Sequence, residues 1–335
     1  TGVEDMMKVQ ANCSSRMTDE EMQSIRGMGI EYLAVNFLPD AVDYDSVMRF
    51  QDRAASFDLK IADAGCPALQ KCPEIHLGKP GRDQWIEKYN DFTRVLGKAG
   101  IKVNYIAWQP NGIFRSRIDV GNYTRGEKSM ICDMDELNAR PVANDRAYTQ
   151  EEIWDNFKYF LDRALPVCEE ADVRLALHPN DPPVPDVCGV PSLIWNTECY
   201  KKAFALAGNS PYLGMKMCVG CWLESENFGN LMEDIRTFTE QGKIFVVHFR
   251  NVSGTMPYFE ETLLEDGYAD MYAILEQLAR CGYDGQLNID HSFFNPDGKG
   301  MSKTSEAYFL GYLKGMLGSL ERQLKLEKEN GGKKS

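Results

Sequence analysis

The sequence predicts a single (β/α)8 barrel, and three observations carry that prediction. About eight short runs rich in β-branched and aromatic residues alternate with stretches of helical periodicity. Several of these runs end abruptly in residues that can bind metal or move protons, as strands do on the catalytic rim of such a barrel. The Gly-rich turn that open doubly wound sheets carry after their first strand has no counterpart here.

The elements follow in order. Met7-Lys8-Val9-Gln10-Ala11-Asn12 forms a weak first strand. Thr18 and Glu21 make a capping box for a helix that stops at Gly27 or Gly29. Ile30-Glu31-Tyr32-Leu33-Ala34-Val35-Asn36-Phe37 is the second strand, a helix covers 43–57, and Leu59-Lys60-Ile61-Ala62-Asp63-Ala64-Gly65 is the third strand. Helical spacing over 83–98 leads to the fourth, Ile101-Lys102-Val103-Asn104-Tyr105-Ile106-Ala107-Trp108. The rhythm then breaks over 109–147, a long insertion with little periodicity that reads as a lid or a dimer contact. A second capping box, Thr149 with Glu152, restarts a helix before the fifth strand, Val173-Arg174-Leu175-Ala176-Leu177-His178. Helices over 192–206 and 230–241 flank the sixth strand, Tyr212-Leu213-Gly214-Met215-Lys216-Met217-Cys218. The seventh opens Lys243-Ile244-Phe245-Val246-Val247-His248 and continues Phe249-Arg250-Asn251-Val252. A patterned helix over 270–281, the eighth strand Gly285-Gln286-Leu287-Asn288-Ile289-Asp290 and a helix over 303–326 close the barrel domain, 1–326, and 327–335 reads as a solvated tail.

Composition narrows the function. A net charge of -13 argues against nucleic acid as a partner, since phosphate binding needs a basic footprint. No apolar run reaches the roughly 18 residues of a membrane span, and Thr1-Gly2-Val3-Glu4-Asp5 has no signal-peptide character. The ten cysteines are irregularly spaced in a chain with ample core, which points to a reducing, cytoplasmic setting. Because the chain begins at Thr1, an export signal removed in processing stays open.

Four late strands end in a residue suited to metal: His178, Cys218, His248 and Asp290. Of only four histidines, three (His178, His248, His291) fall at strand ends. Two imidazoles, a thiolate and a carboxylate form a borderline-soft set suited to Zn2+, Fe2+ or Mn2+. Cys218-Val219-Gly220-Cys221 also matches C-x-x-C, but no second pair stands at ribbon spacing and the motif does not open a helix in a thioredoxin-like context, so Cys221 reads as a loop cysteine.

His178-Pro179-Asn180-Asp181-Pro182-Pro183, the strand-end Cys218, His248-Phe249-Arg250-Asn251 and Asp290-His291 together resemble the mannonate dehydratase family, relatives of the xylose isomerase-like barrels. The resemblance covers about 150–291 well and the rest loosely. It implies a divalent metal, Mn2+ or Fe2+ in the first instance, held by His178, Cys218, His248 and Asp290. It also implies elimination of water from a sugar acid to give a 2-keto-3-deoxy acid. His291 is then the first candidate for acid-base work, and Arg250 for a bidentate clamp on the substrate carboxylate, the alternative for Arg250 being an interior salt bridge with a carboxylate such as Asp63. Asn251, Asp181, Trp108 and Arg117 complete the candidate substrate contacts, with Arg115 a further possible anion contact.

The departures from the family are local. Its members follow Asp-His with Gly-Arg and a tyrosine-bearing loop, whereas here Asp290-His291 leads into Ser292-Phe293-Phe294, with no tyrosine before Tyr308. Asn288 stands where the family tends to carry a cation. Lys216, on the face of Cys218, replaces a small polar residue and is a second catalytic candidate; inside a barrel it must be paired or have a lowered pKa. Two other readings remain: a sugar isomerase or epimerase, against which stands the lack of strand-end glutamates, and a metal-dependent sugar-acid binder without turnover. The sequence leaves homo-oligomerisation open.

Overall fold

The structure is a computed structural model that describes residues 6–331. The expectations made for 1–5 and for the last four residues fall outside the described residues.

Eight parallel strands close into a barrel. In chain order they are β1 (Lys8–Ser14), β2 (Tyr32–Asn36), β3 (Lys60–Gly65), β4 (Val103–Ala107), β5 (Arg174–His178), β6 (Leu213–Cys218), β7 (Ile244–His248) and β8 (Gln286–Asn288). Each pairs with its neighbours in sequence, and β8 returns to β1, where Val9 lies beside Leu287. This is the winding that right-handed β-helix-β units produce. The strands are short apolar runs because both their faces are covered, the inner by barrel side chains and the outer by helices. β7 shows this fully: every residue from Ile244 to His248 is buried.

The helices start where the local chemistry says they should. Both capping boxes form, with Thr18 accepting from the Glu21 amide and Thr149 from the Glu152 amide. Asp43, Asn230 and Asp270 cap three more helices through their carboxylate or amide oxygens. Each cap satisfies an amide that has no partner within the helix. The last helix runs further than expected, Lys303–Gly331, so most of the presumed tail is its exposed final turns.

The largest difference from the sequence reading lies between β4 and the helix Gln150–Ala171. The stretch is not irregular: it forms a hairpin, Arg117–Val120 with Lys128–Asp133, and a short helix, Met134–Asn138. The hairpin joins an antiparallel four-stranded sheet with Tyr258–Thr262 and Asn251–Val252, which follow β7. Arg117–Val120 is an edge strand facing water, so it lacks the alternation by which strands are recognised. This small sheet sits beside the ends of β5–β8, and two charged side chains, one from the sheet and one from just before its edge strand, reach them, as described next.

Candidate metal centre

The four expected donors meet. One atom each from His178, Cys218, His248 and Asp290 lie within 4.8 Å of one another. Register explains it: Cys218 on β6 lies beside His248 on β7, which lies beside Asn288 on β8. His178 Nε2 is 3.3 Å from His248 Nδ1, His248 Nδ1 is 3.0 Å from Asp290 Oδ1, and Cys218 Sγ is 3.7 Å from Asp290 Oδ2.

The supporting contacts suit a cation. His178 Nδ1 is 2.7 Å from the Pro179 carbonyl, which fixes its proton there and leaves Nε2 as the lone-pair donor. Burial works against a Cys218 thiolate, but the Cys221 thiol, Arg250 and the two histidines outweigh it and bring the group well below the usual thiol range. Burial likewise opposes the Asp290 charge, and His248 and His291 overcome it, holding the carboxyl well below its ordinary value. Asp290 has a left-handed backbone, φ 62, steadied by the hydrogen bond its amide donates to Asn288 Oδ1 at 2.7 Å. Such strain in a non-glycine residue is a recurrent mark of functional positions. Asn288, where a family cation was expected, therefore acts on the backbone of a donor.

Around this cluster a cavity of about 200 Å³ is lined by Asn12, Asn36, Tyr105, Lys216, His248, Asp290, His291 and Met301, among others. His291 is at its rim. Its Nε2 is 3.5 Å from Asp290 Oδ1 and its Nδ1 is 2.9 Å from Glu261 Oε2. Burial alone would keep His291 neutral, but Asp290 and Glu261 push it up to about 9. Lys216 points into the barrel, 3.3 Å from Asp63 and 3.8 Å from the centre of the Tyr105 ring. Burial opposes its charge and Asp63 restores it with a margin, so its pKa is raised and the lowered value considered from sequence does not hold.

The five residues expected to touch substrate each have protein neighbours in the structure. Arg250 is 1% exposed and committed: Nε to Asp290 Oδ2 at 2.9 Å, one terminal nitrogen to Asp181 at 3.0 Å, the other 2.6 Å from Glu224. The interior ion pair weighed for it does form, but with these carboxylates rather than with Asp63. Asp181 accepts from both Arg250 and Arg115, which hold its carboxyl below the usual range against the effect of burial. The Asn251 amide spans the carbonyls of Leu264 and Ala269. Trp108 is buried and stacked on His76 with ring centres 4.1 Å apart. Arg117 pairs with Glu136 on the outer hairpin. Arg250, Asp181 and Asn251 are buried and have protein partners, because a buried charge or amide left unpaired costs about 1–3 kcal/mol or more.

The sequence names Arg115 only as an anion contact and gives Glu261, Glu224 and Tyr105 no role in the site. Arg115, from the insertion, is a buried guanidinium shared by Asp181, Glu224 and Glu261 at 2.5, 3.3 and 2.6 Å. Glu224 is buried on a helix, Val219–Glu224, that Cys218 caps, so the C-x-x-C motif does open a helix. Burial drives the Glu224 carboxyl well above its ordinary range, and the nearby Asp181 charge adds to the rise against the pull of Arg250 and Arg115. Gly220 in that helix is required: a Cβ there would lie 2.3 Å from Arg250 Cζ. Tyr105 donates to Asn36 Oδ1 at 2.5 Å across the cavity floor. For Tyr105 the signal was present, since it shares a strand face with other inward positions; for Glu261 and Arg115 only the pairing of the small sheet reveals it.

Comparison with known proteins agrees with this geometry. The family model for D-mannonate dehydratase (UxuA) matches residues 132–327. The mannonate dehydratase of Thermotoga neapolitana is 31% identical over 252 residues, 65% of this chain and 69% of that protein. Mannonate dehydratase 2 of Halalkalibacterium halodurans is 31% identical over 247 residues, 65% of this chain and 70% of that protein. The crystal structure of mannonate dehydratase from Streptococcus suis serotype 2 superposes with a TM-score of 0.84 at 23% identity, covering 95% of this chain and 96% of that one. A xylose isomerase domain protein from Planctomyces limnophilus shares the fold at a TM-score of 0.62 and 11% identity, covering 95% of this chain and 98% of that one. With more than half of its length matched by one family model and its strand-end donors in place, the chain belongs to the D-mannonate dehydratase family and is a hydro-lyase.

Proposed function

We propose that the protein removes water from a sugar acid, D-mannonate or a close relative, to give a 2-keto-3-deoxy acid, using a divalent metal held by His178, Cys218, His248 and Asp290. The observation that carries this reading is the convergence of these four donors within 4.8 Å beside a cavity that His291 and Lys216 also line. Mn2+ or Fe2+ suits the mixed nitrogen, sulfur and oxygen set best, with Zn2+ also compatible. Bound there, the ion supplies Lewis-acid stabilisation of the charge that develops on the substrate carboxylate.

The chain's own residues supply the rest. The C2 proton passes to a base and its electron pair forms the C2–C3 double bond. The C3–oxygen bond breaks, the leaving hydroxide takes a proton to become water, and the enol so formed tautomerises to the 2-keto acid. His291, with Nε2 toward the donor cluster, is the residue placed for one of these two proton transfers. Lys216, kept charged by Asp63, sets a fixed positive charge in the cavity floor that favours an anionic substrate and its developing negative charge. Asn12, Asn36 and Tyr105 offer amide and hydroxyl groups to the sugar hydroxyls. A cytoplasmic setting fits the ten cysteines, all of them free thiols.

The test is to incubate metal-loaded protein with a panel of hexonates and follow 2-keto-3-deoxy acid. Turnover that disappears in His291→Ala supports the reading. Binding without turnover across the panel, or isomerised sugar without loss of water, would overturn it.

A further inference from the structure

Six side chains near the donor cluster form a closed ring of charge-assisted contacts. His291 Nδ1 meets Glu261 Oε2 at 2.9 Å, and Glu261 Oε1 accepts from Arg115 at 2.6 Å. Arg115 donates to both oxygens of Asp181 at 2.5 and 3.0 Å, and Asp181 accepts from Arg250 at 3.0 Å. Arg250 Nε donates to Asp290 Oδ2 at 2.9 Å, and Asp290 Oδ1 returns to His291 Nε2 at 3.5 Å. Neither Glu261 nor Arg115 belongs to the barrel. One comes from Tyr258–Thr262 after β7 and the other from the insertion after β4.

We propose that Glu261 is a positioning residue for His291. It holds the Nδ1 proton and the plane of the ring, so that Nε2, the nitrogen facing the donor cluster, is the one that exchanges a proton with substrate. The argument rests on how the Glu261 oxygens are divided. Oε1 is engaged by Arg115, whose nitrogens can only donate, so this oxygen can only accept. Oε2 is thereby left as an acceptor aimed at Nδ1. A carboxylate on one imidazole nitrogen fixes the tautomer and the orientation of the other. Glu261 is 6% exposed and does not line the cavity, whereas His291 does, so Glu261 acts on the imidazole and not on substrate. Arg115 in turn fixes Glu261, which gives the small sheet a task in catalysis. This inference rests on the role proposed for His291 above.

Glu261→Gln tests it sharply. Arg115 demands the amide oxygen, so the amide NH2 must face Nδ1 and force its proton to Nε2. In the metal-loaded enzyme kcat is expected to fall about 10- to 100-fold, the usual cost of losing such a supporting carboxylate, with KM changing less than about threefold and metal content unchanged. An unchanged kcat, or a loss confined to KM, would overturn the proposal. A second measurement needs neither substrate nor a variant of Glu261 that folds. In the protein loaded with diamagnetic Zn2+ and labelled with 15N-histidine, the His291 signals are those missing from His291→Asn. A proton bound to Nδ1 of His291 in the wild-type protein is expected, and its absence would overturn the proposal. Should the wild-type enzyme turn over no hexonate while this Nδ1 proton is present, the dehydratase reading fails and the positioning contact stands.

Discussion

The two halves of the barrel mouth are built on opposite terms. The ends of β5–β8 carry ionisable donors, and each is tied to another charged group: Asp290 to Arg250, His248 to Asp290, His291 to Glu261. The ends of β1–β4 carry amides and a hydroxyl, with Asn12 exchanging hydrogen bonds at 3.0 and 2.7 Å with Asn288 of β8, and Tyr105 bonded to Asn36. Several buried polar atoms on that side (Gln70 Oε1, Gln109 Oε1, Trp108 Nε1 and both His76 ring nitrogens) have no protein partner. The charged half is tied together by ion pairs, although Glu224 Oε2 within it also lacks a hydrogen bond, while the neutral half has several uncharged groups without a protein partner. Charges must be paired within a low-dielectric interior, whereas amides can exchange a protein partner for a hydroxyl at little net cost.

Substitutions that break the charged half should have the largest effects. His248→Ala removes a donor and is expected to lower metal affinity by more than about 100-fold, exceeding the loss seen when only a supporting residue is removed; metal analysis after dialysis checks it, and unchanged metal content would sink the site. Arg115→Met leaves Asp181 and Glu261 buried beside a single guanidinium and is expected to cost about 3–5 kcal/mol of stability in urea unfolding. A loss below about 1 kcal/mol, the worth of a surface pair, would show that the ring tolerates an open link.

The neutral half should respond more gently. His76 is fully buried, and desolvation pushes its pKa down to about 3. Below its ordinary value of 6.5 the unfolded chain takes up a proton that the folded chain refuses, so stability falls as pH falls from 6.5 toward 3 and is fully present above 6.5. His76→Phe should flatten this acid limb by up to about 1.4 kcal/mol per pH unit, read as the pH dependence of the urea midpoint; an unchanged slope would mean that another group sets it. Tyr105→Phe, which deletes one hydroxyl from the cavity floor, should raise KM about fivefold, equivalent to about 1 kcal/mol, with kcat nearly kept. A fall in kcat alone would move Tyr105 from recognition to chemistry.

What could be read from the sequence follows the same division. His178, Cys218, His248 and Asp290 were legible because each ends an apolar run, and the barrel brings successive run ends together. Arg250 and Asp181 are legible as chemically active, but their protein partners are not: a residue's type tells that it must be paired, not with what. Glu261 and Arg115 were the hardest. They are 146 positions apart, Glu261 on a strand of the small sheet and Arg115 two positions before its edge strand, so neither periodicity nor neighbouring motifs connect them. The 109–147 stretch reads as a break in the barrel rhythm, but its pairing with 251–262 is a tertiary fact without a local signature.

The small sheet also has a consequence for how the chain reaches its native state. Arg115 bridges partners 66, 109 and 146 positions away. Contacts of such sequence separation carry a large loop-closure entropy and form late. Until the hairpin docks, the neighbouring acids keep water around them or keep their protons, and the barrel mouth stays loose at that edge. Completion of the catalytic half is thus expected to be among the last steps of folding, and the hairpin to be the piece whose arrival commits it.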